Sequence, residues 1–236
     1  MTIAHVVPPI IVALAKHPIV SNYNLSSIKC LFSGAAPLGS DTEIAVENRL
    51  GVSVKQAYGM TELSPASHIC PYPPNNKRGS VGPPLPSTHV AIVNPESLQF
   101  LARGELGEIW VRGPQVMQGY LDKAEETAKV IVGDWMRTGD FGFCDDGGYL
   151  FVKDRLKEVF KCNGNQIAPA ELEAVLLKHP SITDAAVIAL PHESAGEVPK
   201  AFVVVKAGDG VTPSDISTWM AGQVADFKRI KTENIE

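Results

Sequence analysis

A strand, a helix and a second strand fit within residues 28–58, and this order restricts the fold more than any other feature of the sequence. Ile28–Phe32 is a short apolar run, and the glycines and proline of the next loop end it. Ser40 and Glu43 have the spacing of a capping box, which predicts a helix that begins there. Val52–Tyr58 then alternates as a strand does. We therefore predict a β-α-β unit within an α/β fold.

Two glycine-bearing loops, "SGAAPLG" (33–39) and "YGMTE" (58–62), leave the ends of these two strands. The strands of a β-α-β unit run parallel, so we expect both loops at the same edge of the sheet. Open α/β sheets bind ligands at that edge. By itself, "YGMTE" fits a surface turn as well as a phosphate or metal site.

The next part of the chain, residues 81–153, is expected to form a β-rich subdomain. Residues 71–88 contain six prolines and predict a loop. Three β-like runs follow, "HVAIV", "GEIWVRG" and "YLFVKD". A helix from Asp122 to about Val132 interrupts them, with Asp122 as its predicted N-cap.

A small α+β domain is predicted from Asp154 onward. The Asn-Gly pair in "VFKCNGNQIA" predicts a β-hairpin. "APAELEAVLLKHP" predicts a helix, with Pro169 near its start and Pro180 after its end. "AAVIAL" and "AFVVVK" are predicted strands, and a last helix is expected from about Pro213 to near the C-terminus.

Charge and cysteine usage argue against several classes of function. The formal net charge is −5, so no basic footprint indicates a nucleic-acid partner, and "FKRIKTE" fits a solvated helix face. The four cysteines form no C-x-x-C pair, which argues against a zinc site or a disulfide framework. Scattered free thiols suit a reducing compartment, so we expect a cytoplasmic protein.

The N-terminal stretch "MTIAHVVPPIIVALAKHP" is apolar but too short to span a bilayer, and it contains Pro8-Pro9. It also lacks the positively charged region that opens a signal peptide. We predict that it is part of a buried helix, and we expect no membrane span. Such an apolar start suggests that the chain begins inside a domain.

An ordered series of motifs runs along nearly the whole chain: "SGAAPLG", "YGMTE", "GSVGPP", "GELGEIWVRGPQVMQGYL", "DWMRTGD", "DGGYLFVKDRLKEVFK" and "GNQIAPAELEAVLLKHP". Together they resemble the adenylate-forming (AMP-binding) superfamily, above all its 4-coumarate–CoA ligase group. The resemblance implies an incomplete adenylate-forming fold, with a partial doubly wound sheet and a β-rich subdomain, followed by a small α+β C-terminal domain. Residues 1–153 would be the C-terminal part of the large AMP-binding domain, with 1–80 as its α/β portion. Residues 154–236 would be the truncated small domain, with its hinge near Asp154.

The chemistry implied by the resemblance is the activation of a small carboxylic acid by ATP, through an acyl-adenylate, and transfer of the acyl group to coenzyme A. ATP, Mg²⁺ and coenzyme A are therefore the implied cofactors and co-substrates. Hydroxycinnamate, fatty and other aryl acids all stay open as substrates.

The resemblance also assigns roles to single residues. Thr61, Glu62 and Lys161 are implied to be catalytic, with Glu62 also the ligand of Mg²⁺, a cation that prefers carboxylate and phosphate oxygens. Asp140 is implied to accept hydrogen bonds from both ribose hydroxyls. The implied nucleotide-binding set is Gln56, Ala57, Tyr58, Gly59, Thr61, Asp140, Arg155 and Gln166. The implied acyl-substrate set is Gly34, Ala35, Ala36 and Ala57, and the implied coenzyme A contacts are Asn163 and Gly164.

Two positions depart from the family pattern. Ala57 stands where the family usually has glycine, and its methyl group could narrow the acyl pocket. The family typically reads Lys-Tyr-Lys-Gly-Phe-Gln where this chain has "KCNGNQ". Asn163 thereby replaces a positive charge, which weakens the expected attraction for coenzyme A phosphates.

Two elements of the family pattern are absent from the 236 residues: the phosphate loop upstream and the Gly-Lys element downstream. We therefore expect the chain as given to be inactive or incomplete in adenylation. The alternatives are a non-catalytic remnant that binds nucleotide or a partner, with association through surface exposed by truncation, and a luciferase-like member. A peroxisomal location stays open if a C-terminal signal lies in further sequence.

Overall fold

The computed structural model of this protein describes residues 1–71 and 77–236. These residues form two compact units, Met1–Val152 and Lys153–Glu236, which are called the first and second units below. Part of the predicted proline-rich loop, including Pro73 and Pro74, lies outside the described residues. No helix in the described ranges is long and apolar enough to cross a membrane.

The first unit begins with a sheet whose strand order is β1-β2-β3-β4. β1 and β2 pair in parallel, β2 and β3 also pair in parallel, and β4 runs antiparallel to β3. The β-α-β prediction is therefore confirmed. The elements of this part are β1 (Ile3–Val6), α1 (Pro8–Lys16), β2 (Cys30–Ser33), α2 (Ser40–Leu50), β3 (Ser53–Gly59) and β4 (Ala66–Ile69).

The predicted capping box of α2 is wrong. The N-cap is Gly39, and no side chain caps the helix. The Glu43 carboxylate instead accepts hydrogen bonds from Gln56 Nε2 at 2.9 Å and from the Gly79 amide at 2.9 Å. Glu43 is buried, so its carboxylate requires partners in the interior, and these distant donors replace the local cap.

The N-terminal stretch is a strand followed by a helix, which corrects the prediction of one buried helix. β1 pairs with β2, and α1 starts at Pro8 because proline lacks an amide hydrogen and is tolerated at the first helical position. Only Pro8 and Ile11 of α1 are buried, whereas Ile10 is 49% exposed.

The second half of the first unit is a mainly antiparallel sheet with the order β5-β6-β8-β7, and β9 also pairs with β8. The strand β8, which carries "RTGD", was not among the predicted elements. The predicted N-cap at Asp122 is wrong, because the helix starts at Ala124 and Asp122 has a φ of 55°. The elements are β5 (His89–Val93), β6 (Gly107–Arg112), α3 (Ala124–Val130), β7 (Ile131–Val132), β8 (Trp135–Cys144) and β9 (Leu150–Arg155), and the last three residues of β9 belong to the second unit.

The second unit is a small α+β domain with the sheet order β11-β10-β13-β12. Asn163 and Gly164 both have positive φ, as a two-residue hairpin turn of this type requires, so the hairpin prediction is confirmed. The predicted last helix is too long, because it ends at Ala221 and only short 3-10 turns follow. The elements are β10 (Phe160–Cys162), β11 (Asn165–Ile167), α4 (Pro169–Leu176), β12 (Ile182–His192), β13 (Gly196–Val205) and α5 (Pro213–Ala221).

Candidate functional site

Gln56 in β3 bonds the loop after β2 to the strand that leads into "YGMTE". Its side chain is only 2% exposed. Its Oε1 accepts from the Leu38 amide at 3.2 Å, and its Nε2 donates to the Leu38 carbonyl at 3.1 Å as well as to Glu43. The Gln56 side chain is thus used inside the fold, and the Gln56 carbonyl accepts from the Cys70 amide at 3.0 Å, so the nucleotide-binding role of this position stays a prediction.

The loop after β2 presents small residues to solvent. Ala35 and Ala36 are exposed, and Ala35 has a φ of 74°. A Cβ added to Gly34 would meet no atom within 4 Å, so nothing in the described structure requires glycine there. Ala57 is half-buried in β3. The role of these residues at an acyl substrate stays a prediction.

The packing of the fold requires glycine at position 59, at the end of β3. A Cβ at this position would lie 1.9 Å from the Pro65 carbonyl oxygen, which belongs to the segment returning into β4. Thr61 then opens a short 3-10 turn, Thr61–Leu63, that is anchored by the fully buried Leu63. Thr61 itself is exposed, and Glu62 is half-buried.

Glu62 is held by a segment that the sequence separates from it by more than fifty residues. Its carbonyl accepts from the Met117 amide at 2.9 Å, and its Oε1 accepts from the Tyr120 hydroxyl at 2.8 Å. The hydrogen bond to this carboxylate raises the pKa of Tyr120, and burial adds to the effect. No role was predicted for Tyr120, although it lies in the quoted motif "QGYL".

The hydroxyl of Tyr58 donates to Asp140 Oδ2 at 2.6 Å, and these two residues are 82 positions apart. The bond joins β3 to β8. Thr138 supports it, because its Oγ1 accepts from the Asp140 amide at 3.1 Å and donates to the Ile109 carbonyl. A carboxylate offers about four acceptor positions, and the Tyr58 hydroxyl takes one of them. The ribose role of Asp140 stays a prediction.

His68 in β4 lies beside Tyr58, the residue whose hydroxyl bonds Asp140. It is fully buried, its ring centroid lies 5.9 Å from that of Tyr58, and its Nδ1 is 2.9 Å from Ser67 Oγ. Burial lowers the pKa of His68 to about 3, so the ring is neutral near pH 7. Its Nε2 has no hydrogen-bond partner within the described residues.

In the second unit, Lys161 and Gln166 are directly opposite across the β10–β11 hairpin, and both are exposed. Directly opposite residues project from the same face of a sheet, so one ligand can contact both. Asn163 and Gly164 form the exposed turn between them. Their catalytic, nucleotide and coenzyme A roles stay predictions.

Asp154 caps the first helix of the second unit. Its Oδ2 accepts from the Ala170 amide at 2.8 Å, at the start of α4, and its Oδ1 accepts from the Arg155 amide at 2.8 Å. Asp154 is buried, whereas Arg155 is exposed. The carboxylate therefore has a structural role in this unit, and its function as a hinge stays a prediction.

The carboxylates of the first unit suit a Mg²⁺ ion that also binds substrate phosphates better than a metal ion coordinated by protein side chains alone. No group of three or more His, Cys, Asp or Glu side chains that could hold a metal is found in the described part of the chain. Mg²⁺ typically binds one or two carboxylates together with substrate phosphates and water. Glu62, which is half-buried in the turn after β3, can supply one such carboxylate, and its role as a magnesium ligand stays a prediction.

Family models match both units. The model for AMP-binding enzymes matches residues 1–121, and the model for the AMP-binding enzyme C-terminal domain matches residues 171–235. "4-coumarate--CoA ligase 1" from Solanum tuberosum is 46% identical over 237 residues, covering 98% of this chain and 44% of the relative. "Probable 4-coumarate--CoA ligase 1" from Dictyostelium discoideum is 43% identical over 234 residues, covering 98% and 42%. The chain thus spans less than half the length of these curated relatives.

Solved structures agree in fold. ATP-bound MatB from Rhodopseudomonas palustris matches with a TM-score of 0.89 and 31% identity, covering 99% of this chain and 46% of that one. The anthranilate CoA ligase AuaEII in complex with anthranoyl-AMP matches with a TM-score of 0.89 and 26% identity, covering 98% and 45%.

Proposed function

Because this chain belongs to the AMP-binding enzyme family, we propose that it forms part of an acid–thiol ligase that activates a carboxylic acid with ATP and passes the acyl group to coenzyme A. The observation that carries the proposal is the bond between Tyr58 and Asp140. It joins the strand that leads into "YGMTE" to the strand that carries "RTGD". A phosphate contact and a ribose contact of one nucleotide would thereby come from the same compact unit.

In this proposal, the first unit orients the nucleotide and the acid. The Asp140 carboxylate accepts hydrogen bonds from the two ribose hydroxyls, and the Thr61 hydroxyl donates to a phosphate oxygen. Small residues at Gly34, Ala35 and Ala36 let the acid approach the α-phosphate. Holding both reactants in this geometry removes much of the entropic barrier to acyl-adenylate formation.

Glu62 would hold Mg²⁺, which supplies charge neutralisation for the phosphates when it is bound. Lys161 and Gln166 of the hairpin would contact the nucleotide, and the turn at Asn163 and Gly164 would face coenzyme A. The names of the relatives above favour an aryl acid, and fatty acids stay open as substrates.

The test is acid-dependent exchange of labelled pyrophosphate into ATP, measured on the 236-residue chain and on the longest chain that its reading frame encodes. We expect exchange from the longer chain and little or none from the 236 residues alone, which lack the phosphate loop and the Gly-Lys element. An Asp140→Asn variant of the longer chain should lose most of the exchange. AMP binding without exchange in the longer chain would instead favour a non-catalytic nucleotide-binding protein.

A further inference from the structure

We propose that Tyr120 is a positioning residue that orients the Glu62 carboxylate toward a phosphate-bound divalent cation. This inference rests on the proposed function, because it assigns a partner to the residue proposed to hold Mg²⁺. Tyr120 lies 58 positions from Glu62 in the sequence, and the Tyr120 hydroxyl is 2.8 Å from Glu62 Oε1.

Glu62 is held at two points by the same segment. The Met117 amide fixes its carbonyl at 2.9 Å, and the Tyr120 hydroxyl fixes one carboxylate oxygen. Without these two bonds, the half-buried Glu62 side chain could sample several rotamers. Because the Glu62 carbonyl and carboxylate Oε1 are both held, the second carboxylate oxygen can point in only a few directions.

Tyr120 is itself fixed from behind by α3. The Tyr120 amide donates to Thr127 Oγ1 at 2.9 Å. The Thr127 hydroxyl in turn donates to the Lys123 carbonyl at 2.9 Å. The residue before it, Gly119, has a φ of 151°, and a Cβ there would lie 2.8 Å from Thr127 Cγ2. The backbone around Tyr120 is therefore shaped to pack against Thr127, and the tyrosine is held in place although it is 37% exposed.

A phenol suits this task because it donates a hydrogen bond without carrying positive charge. Lysine or arginine at the same place would also bind the carboxylate, but their charge would repel an incoming cation. The hydroxyl occupies one lone pair of Oε1 and leaves the other acceptor positions of Glu62 to the metal. Groups that orient metal ligands in this way typically change metal affinity by about 10–100-fold when they are removed.

The test measures binding rather than turnover. Calorimetric titration of the longest chain that the reading frame encodes would give the affinity for AMP, for ATP in EDTA and for ATP with Mg²⁺. The gain in ATP affinity on adding Mg²⁺ is the quantity of interest. We expect Tyr120→Phe to reduce that gain by about tenfold, the lower end of the range for such groups, and to leave AMP affinity unchanged.

Matched variants separate the explanations. Tyr23→Phe, at a tyrosine that is 64% exposed, should change neither the AMP affinity nor the gain in ATP affinity on adding Mg²⁺. Thr127→Val should reduce that gain, but less than Tyr120→Phe does. Equal losses of AMP and ATP affinity in Tyr120→Phe would show a structural role only and overturn the inference, as would an unchanged Mg²⁺ gain. If the wild-type chain and its full reading frame both fail to bind AMP, the proposed function falls and this inference falls with it.

Discussion

The bond between Tyr58 and Asp140 is expected to stabilise the first unit and to align its ribose-binding group. Tyr58→Phe removes one hydroxyl and keeps the ring, so it opens no cavity in the surrounding core. The lost bond is short, at 2.6 Å, and links residues that are only 8% and 6% exposed. Hydrogen bonds to a charged partner in such surroundings contribute roughly 1.5–3 kcal/mol, so we expect the unfolding free energy to fall by about 2 kcal/mol.

A double-mutant cycle isolates this contact. The free energy of denaturant unfolding would be measured for wild type, Tyr58→Phe, Asp140→Asn and the double variant, all in a Trp219→Phe background. Fluorescence then reports on the first unit, which contains Trp110 and Trp135. We expect a coupling energy of about 1–2 kcal/mol. A coupling near zero, with Tyr58→Phe costing under about 0.5 kcal/mol, would refute the reasoning.

Three further outcomes follow from the same structure. Gly59→Ala should prevent stable folding of the first unit, because the added Cβ would clash with backbone atoms. Gly34→Ala should leave the melting temperature unchanged, because the added Cβ would meet no atom, and it should weaken ligand binding if the loop contacts the acid. Asp154→Ala should destabilise the start of α4 by about 1 kcal/mol, seen as faster amide hydrogen exchange at Ala170, while Asp154→Asn should retain part of the cap. Burial raises the pKa of Glu43 above its ordinary value of 4.5, so protonation of this carboxyl favours the folded state. The unfolding free energy of wild type, measured relative to the non-titrating Glu43→Gln, should therefore increase as the pH falls through the raised pKa. A difference between the two proteins that does not change with pH would contradict this.

Local patterns in the sequence predicted the elements whose causes are local. The parallel strands on either side of α2, the Asn163-Gly164 turn and the proline at the start of α4 each depend on a few neighbouring residues. The capping-box error arose because distant partners decided the outcome. Glu43 had the spacing of a capping residue, yet Gln56 and Gly79 bind it instead, because a buried carboxylate must be satisfied wherever donors exist.

The candidate site also combines features that neighbouring residues determine with features that distant residues determine. Its motifs could be placed on strand ends from the sequence, because parallel strands put their loops at one edge. The bonds that fix those motifs could not, since Asp140 and Tyr120 reach β3 and its following turn from across the first unit. No spacing rule links residues so far apart in the chain.

These internal bonds change how the motif residues should be interpreted. Gly59, Gln56 and Tyr58 each satisfy a demand of the fold, so their presence in the chain does not by itself indicate a ligand. Thr61 and Gly34 differ, because Thr61 is exposed and a Cβ at Gly34 would meet open space. Among the motif residues named here, loss of function without loss of stability is therefore expected at Thr61 and Gly34. They, rather than the more buried members of the motif, discriminate between a nucleotide site and a strand that merely ends in a turn.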